Sequence, residues 1–322
     1  MKDPLRDKQG RRRSDAPPQK SDKPKPGGYT LSERDYRVLQ VLHLCGGRLT
    51  TPILFRFLKR ERLYKNIKSL QKRLKELRQE LLLIDWPPEQ FLTNRPWENP
   101  LVHQITPKAV TLLKERGLWF KNAPSPKGFY KHQLMVSCAY ASYWLDALDA
   151  GLQFVPQHLL QFQKIIRPGE KGVYIKPDAM MLIYLEDGKP RLVFFEADRD
   201  TEAGYSENDE VASWTRKVRR YQWLIDDGTY RKYIEVPEEC RAQVHALTVS
   251  HLMKDRILKE VARFYPKKCS FIFVHATDAF GYVFRPPKVV PILSAIWERY
   301  NVDAFRFITP QQDPVHSEIA PI

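Results

Sequence analysis

Apolar residues recur at helical spacing as soon as order begins near Tyr29. Tyr36, Leu39, Val41, Leu42 and Leu44 predict a first helix, opened by a capping pattern in Thr30-Leu31-Ser32-Glu33 and closed by Gly46-Gly47. Thr51-Pro52 supplies an N-cap and a first-turn proline for a short helix over residues 53–58. A third helix is expected over 62–80, with Leu63, Ile67, Leu70, Leu74 and Leu77 on one face and Lys65, Lys68, Lys72, Lys75 and Arg78 on the other. Strands at 81–86 and 101–105 flank a Pro-rich loop, and Thr106-Pro107 caps a helix running to residue 116. Three helices followed by a hairpin predict a winged helix-turn-helix whose third helix enters a DNA major groove.

The pattern changes after residues 121–131, which have linker composition. An apolar helix is expected over 132–150, then strands near 161–166, 174–185 and 191–198, and an amphipathic helix over 207–225. A strand at 244–250, a helix at 253–264, a strand at 269–275 and a final helix and strand complete the series. The predicted organisation is a basic tail (1–28), a winged helix-turn-helix domain (29–120), a linker (121–131) and an α/β domain (132–322).

Charge sharpens this division. Residues 1–130 hold 28 of the 53 Lys and Arg but only 13 of the 38 Asp and Glu, so the whole net surplus of +15 lies there. Double-stranded DNA is the partner such a half implies, since each neutralised phosphate releases counterions. Lys65, Lys68, Lys72 and Lys75 are the expected contacts, with Arg48 and Arg56 as further phosphate candidates. The tail, with five prolines and nine basic residues in 28, cannot bury a core and reads as disordered. Four scattered cysteines exclude a disulfide framework or zinc ribbon and fit a reducing cytoplasm. No apolar run is long enough for a membrane span.

In the neutral half, the chemistry gathers on two neighbouring strands. Asp178 follows Tyr174-Ile175-Lys176-Pro177, and Glu196 and Asp198 follow Phe194-Phe195. Carboxylates beside strongly apolar runs need a partner or a metal. Glu196 and Asp198 share one strand face, and pairing through the turn near Asp187-Gly188 would bring Asp178 to Glu196. Such a group would suit Mg²⁺ or Mn²⁺, with Asp178 and Glu196 as the ligands. On the following helix, Glu210, Trp214, Lys217, Tyr221 and Leu224 form one stripe that turns Lys217 inward, towards an ion pair or a metal site. His132 reads more readily as a core histidine than as a buttress of this site.

These residues resemble the PD-(D/E)xK nuclease fold in Pro177-Asp178 and Glu196-x-Asp198, and Lys217-x-x-x-Tyr221 is similar to a helix motif that completes some sites of that fold. More narrowly, residues 30–225 resemble the replication-relaxation family. The matching pieces are Leu31-Ser32-Glu33-Arg34-Asp35, Gly47-Arg48-Leu49-Thr50-Thr51, Ile105-Thr106-Pro107-Lys108-Ala109, His132-Gln133-Leu134, Pro177-Asp178-Ala179 and Phe195-Glu196-Ala197-Asp198-Arg199-Asp200-Thr201-Glu202. The resemblance implies an N-terminal winged helix-turn-helix followed by a restriction-endonuclease-like α/β domain, in proteins serving plasmid replication or DNA relaxation before transfer. It also implies relaxation or replication proteins as further partners and leaves a homodimer open.

One departure from the nuclease pattern is that Asp198 stands where those enzymes place a lysine. The leading expectation is therefore a mobile-element DNA-binding accessory with a degenerate site. One alternative is a Mg²⁺-dependent deoxyribonuclease with Asp178, Glu196, Asp198, Lys217 and Tyr221 as its catalytic set, and another is a winged-helix transcriptional regulator. Neither a phosphate-binding glycine loop nor a dinucleotide fingerprint is present, and the histidine cluster of a covalent relaxase is missing.

Overall fold

The computed structural model describes residues 30–91, 100–127, 129–166, 174–200, 213–277 and 292–307. The expected basic tail and Glu210 lie outside them, and the described residues 292–307 contain strands but no part of the expected C-terminal helix.

The first helix, α1 (Glu33–Leu44), starts two residues later than its capping pattern suggested. Ser32 is the N-cap, and its backbone N–H and hydroxyl both donate to Asp35 Oδ2, at 2.8 and 2.7 Å. Arg73 Nη2 also reaches that oxygen at 2.7 Å, so one buried carboxylate caps α1 and fastens it to a later helix. Gly46 ends the helix with φ +94°, and a Cβ there would lie 2.7 Å from Ser137 Oγ. Strand β1 (Arg48–Thr50), absent from the sequence expectation, leads into α2 (Thr51–Arg60).

Helix α3 (Ile67–Gln79) is shorter than expected because Asn66 caps it, its side chain accepting from Ser69 N at 2.9 Å. Leu63 and Lys65 therefore precede the helix. Strands β2 (Ile84–Asp85) and β3 (Val102–Ile105) join β1 in an antiparallel sheet of order β1-β3-β2. Helix α4 (Pro107–Glu115) follows, with Thr106 as its cap.

Helix α5 (Tyr130–Asp149) packs against both α2 and the main sheet. Phe57 of α2 meets Trp144 edge-on at 5.4 Å, and Arg60 Nη1 lies 2.5 Å from Asp149 Oδ1. The main sheet contains β4 (Phe154–Pro156), β7 (Ala179–Tyr184), β8 (Pro190–Asp198), β9 (Arg241–Thr248), β10 (Ile272–Ala276), β11 (Trp297–Arg299) and β12 (Val302–Phe305). Among the described residues its order is β12-β11-β10-β9-β8-β7-β4, with β8, β9 and β10 parallel. The strand expected near 161–166 does not enter it. Instead, β5 (Ile165–Ile166) pairs with β6 (Tyr174–Ile175) as a separate ribbon, while β4 was not foreseen.

Helices α6 (Trp214–Asp226) and α7 (His251–Phe264) cover one face of the main sheet. Trp214, Val218, Tyr221 and Leu224 of α6 pack with Leu192, Phe194, Val244 and Ile257 in one core. All four cysteines are free and buried. No helix among the described residues is long and apolar enough to cross a membrane.

Asp146 links α5 to the C-terminal segment by accepting the Leu293 N–H at 3.1 Å. Burial pushes its pKa up to about 7, against the pull of the backbone donors. An acid whose folded-state pKa is raised costs stability as pH climbs from its unfolded value through the folded one. Asp146→Asn keeps the acceptor and removes that cost, up to about 4 kcal/mol. Thermal melts should show the variant more stable than the wild type above about pH 7, with the gap closing near pH ~4. An equal gap at both pH values would contradict this.

Candidate functional site

The site forms where β7 and β8 meet the first turns of α5 and α6. Pairing of Ala179 with Phe195 sets the register, which places Asp178 opposite Glu196. Asp178 completes the ladder on both sides: its N–H donates to Phe195 O at 3.0 Å, and its Oδ2 accepts from Ala197 N at 2.9 Å. On β8 the alternation sends Leu192, Phe194, Glu196 and Asp198 to the face covered by α6. Glu196 is 5 % exposed and Asp198 1 %.

Helix α6 brings two groups to Glu196. Lys217 Nζ lies 2.8 Å from Oε2, and the Tyr221 hydroxyl donates to Oε1 at 2.5 Å. The Tyr221 ring is held 5.6 Å from that of Phe194. Asp198 has a different neighbour: the Trp214 indole N–H donates to its Oδ2 at 2.7 Å. Trp214 opens α6, and the Lys217 ammonium lies 4.9 Å from its ring centre. Asp198 thus anchors the start of the helix that carries Lys217.

His132, in the first turn of α5, is not a core histidine. Its Nε2 lies 3.1 Å from Asp178 Oδ1, with both side chains partly exposed. Burial opposes charge on both groups, yet their mutual bond prevails and holds Asp178 below, and the imidazole above, their ordinary values. Burial raises Glu196 to about 7 despite the Lys217 ammonium, and the Asp178 charge adds to the rise. The sequence signals for His132 were its place at a helix start and its match to a family motif. Neither fixes a side-chain partner 46 residues away.

A hard divalent cation needs only one or two carboxylates and keeps several waters. Each oxygen of Asp178 and Glu196 accepts from one protein group, and a carboxylate oxygen has capacity for a second partner. Asp178 and Glu196 are thus the residues that would hold a Mg²⁺ or Mn²⁺ ion, with the 5 % exposure of Glu196 limiting the room for water beside it. Among the described residues no group of three or more His, Cys, Asp or Glu is placed to form a cage.

The basic candidates separate by position. Lys68, Lys72 and Lys75 are exposed along α3, and Lys65 is exposed just before it. Arg56 is ion-paired with Asp149 on α5. Arg48 is half-buried, its Nε donating to Gln104 at 3.1 Å and its guanidinium 5.3 Å from the Tyr130 ring centre. Both arginines are thus engaged within the protein, whereas the lysines of the row are exposed.

A search of curated proteins finds no match to the chain. Among solved structures, restriction endonuclease FokI aligns at 11 % identity with a TM-score of 0.24, over 76 % of this chain and 42 % of that one. A superposition that loose does not equate individual elements. The family model described as replication-relaxation matches residues 39–237, from within α1 through the whole carboxylate site. The chain belongs to the replication-relaxation family.

Proposed function

We propose that the protein binds duplex DNA of a mobile element during replication or relaxation, and that Asp178, Glu196 and Lys217 form a divalent-ion-dependent phosphodiester hydrolysis site. The winged-helix reading of residues 29–120 supports the first part: α3 precedes the β2–β3 pair and presents a row of exposed lysines. The observation that carries the second is Lys217 Nζ at 2.8 Å from Glu196, which supplies from α6 the amine that position 198 lacks.

Asp178 and Glu196 would hold the ion. When bound, it would polarise the scissile phosphate and make water a better nucleophile at neutral pH. Lys217 orients the incoming water and offsets charge building on the phosphate. Tyr221 fixes the Glu196 carboxylate, and His132 fixes that of Asp178. The near-complete burial of Glu196 favours a second reading, in which the domain binds DNA without cutting it.

Incubation of supercoiled plasmid with Mg²⁺ or Mn²⁺ separates the two. Wild type is expected to nick or linearise it, and Asp178→Ala and Glu196→Ala to lose that activity while still retarding a duplex. Purified wild type that binds duplex but never cleaves would establish the binding role instead.

A further inference from the structure

The carboxylates sit where β8 finishes, whereas a cavity of about 830 Å³ opens where β8 and β9 begin. Asp198 lies seven positions beyond Arg191 along β8, which is roughly 23 Å at the usual rise. The cavity is lined by Arg191, Arg231, Arg241, Arg299 and Arg306 against Glu186, Asp187 and Asp226, a surplus of two positive charges. In a half of the chain whose net charge is zero, this is a local concentration.

Two of these arginines are direct neighbours, because Arg191 and Arg241 are register partners across the parallel β8–β9 pair. Like charges side by side on one sheet face are unfavourable. Asp187 answers Arg191 at 3.0 Å. Arg241 is exposed and makes no ion pair among the described residues. Two further guanidinium groups are held by neutral carbonyls, which fix their direction and leave their charge uncompensated. Arg231 Nη2 donates to Cys240 O at 2.6 Å, and Arg306 Nη1 to Ser294 O at 2.8 Å. The Arg299 guanidinium lies 5.0 Å from the Phe273 ring centre, and Phe271 adds a second aromatic wall.

We propose that this cavity binds a phosphate-bearing ligand of nucleotide size. Guanidinium forks match phosphate oxygens in geometry and charge, and an anion between Arg191 and Arg241 would relieve their repulsion. The volume lies within the range of small-molecule sites, and the phenylalanines offer apolar surface to a base. The assignment is independent of the hydrolysis reading.

Calorimetric titration of the full chain with deoxyadenosine monophosphate, with deoxyadenosine and with a short 5′-phosphorylated single strand tests it. The monophosphate is expected to bind at one site, at least about tenfold more tightly than the nucleoside. Arg241→Gln and Arg306→Gln should each weaken it by about tenfold without lowering the melting temperature, while Asp178→Ala leaves it unchanged. Displacement of bound monophosphate by the phosphorylated strand, but not by the same strand lacking its 5′-phosphate, would identify strand ends as the source, and no displacement would identify free nucleotides; either result upholds the phosphate site. Equal affinity for nucleotide and nucleoside, or arginine variants that bind like wild type, would overturn it.

Discussion

Lys217→Met is expected to cut Mg²⁺-dependent plasmid nicking by roughly 10²- to 10³-fold, the usual effect of removing one group that stabilises developing charge. Duplex binding should be unaffected, because Lys217 lies on α6 and the exposed lysine row on α3. The variant also leaves Glu196 without its cation in a site where only 5 % of the residue is exposed. Stranding one partner of a buried pair costs about 3–5 kcal/mol when the survivor stays charged. Glu196 can escape part of that cost by keeping a proton, since burial already raises its pKa to about 7. Losing Lys217 raises it further. A raised folded-state carboxylate loses stability as pH rises through its folded pKa, so the melting temperature should fall further below wild type at pH ~8 than at pH ~5.5. Lys217→Arg, which keeps the charge, should recover most of the stability. Nicking by Lys217→Met at the wild-type rate would remove the lysine from the mechanism.

Replacing Lys68, Lys72 and Lys75 together by Gln should produce the largest loss of DNA affinity. All three are exposed on α3, and none supports the core, so the fold should tolerate the change. Each lost phosphate contact flattens the dependence of log affinity on log salt by about one, so the slope should fall by roughly three. Fluorescence anisotropy of a labelled duplex across a salt series gives both quantities. Arg56→Gln is expected to have a much smaller effect, since its guanidinium is already occupied by Asp149. A triple variant with an unchanged slope would show that DNA does not dock on this helix face.

Much of the candidate site could be read in the chain because strand and helix periodicities are strictly local. The two-residue spacing of Glu196 and Asp198 puts both on the α6 side of β8, and the stripe Trp214, Lys217, Tyr221, Leu224 points the lysine towards them. Pairing through the turn near Asp187-Gly188 likewise implied that Asp178 and Glu196 would be neighbours, and the observed register places them opposite one another. Helix boundaries were less legible where a competing side chain supplied the cap. Asn66 shortened α3, and Asp35 moved the start of α1, because capping depends on which polar atom reaches the free N–H groups.

What the sequence determined by itself was the split between a basic and a neutral half, the main series of helices and strands, and a set of inward carboxylates with one inward lysine. Each follows from composition or from a repeat of two or 3.6 residues. The tertiary structure alone decided that His132 meets Asp178, that Asp198 takes the Trp214 indole, that Arg56 turns to Asp149, and that arginines scattered from 191 to 306 line one cavity. These contacts join residues far apart in the chain. Their partners are chosen by strand order and helix packing, which no local periodicity encodes.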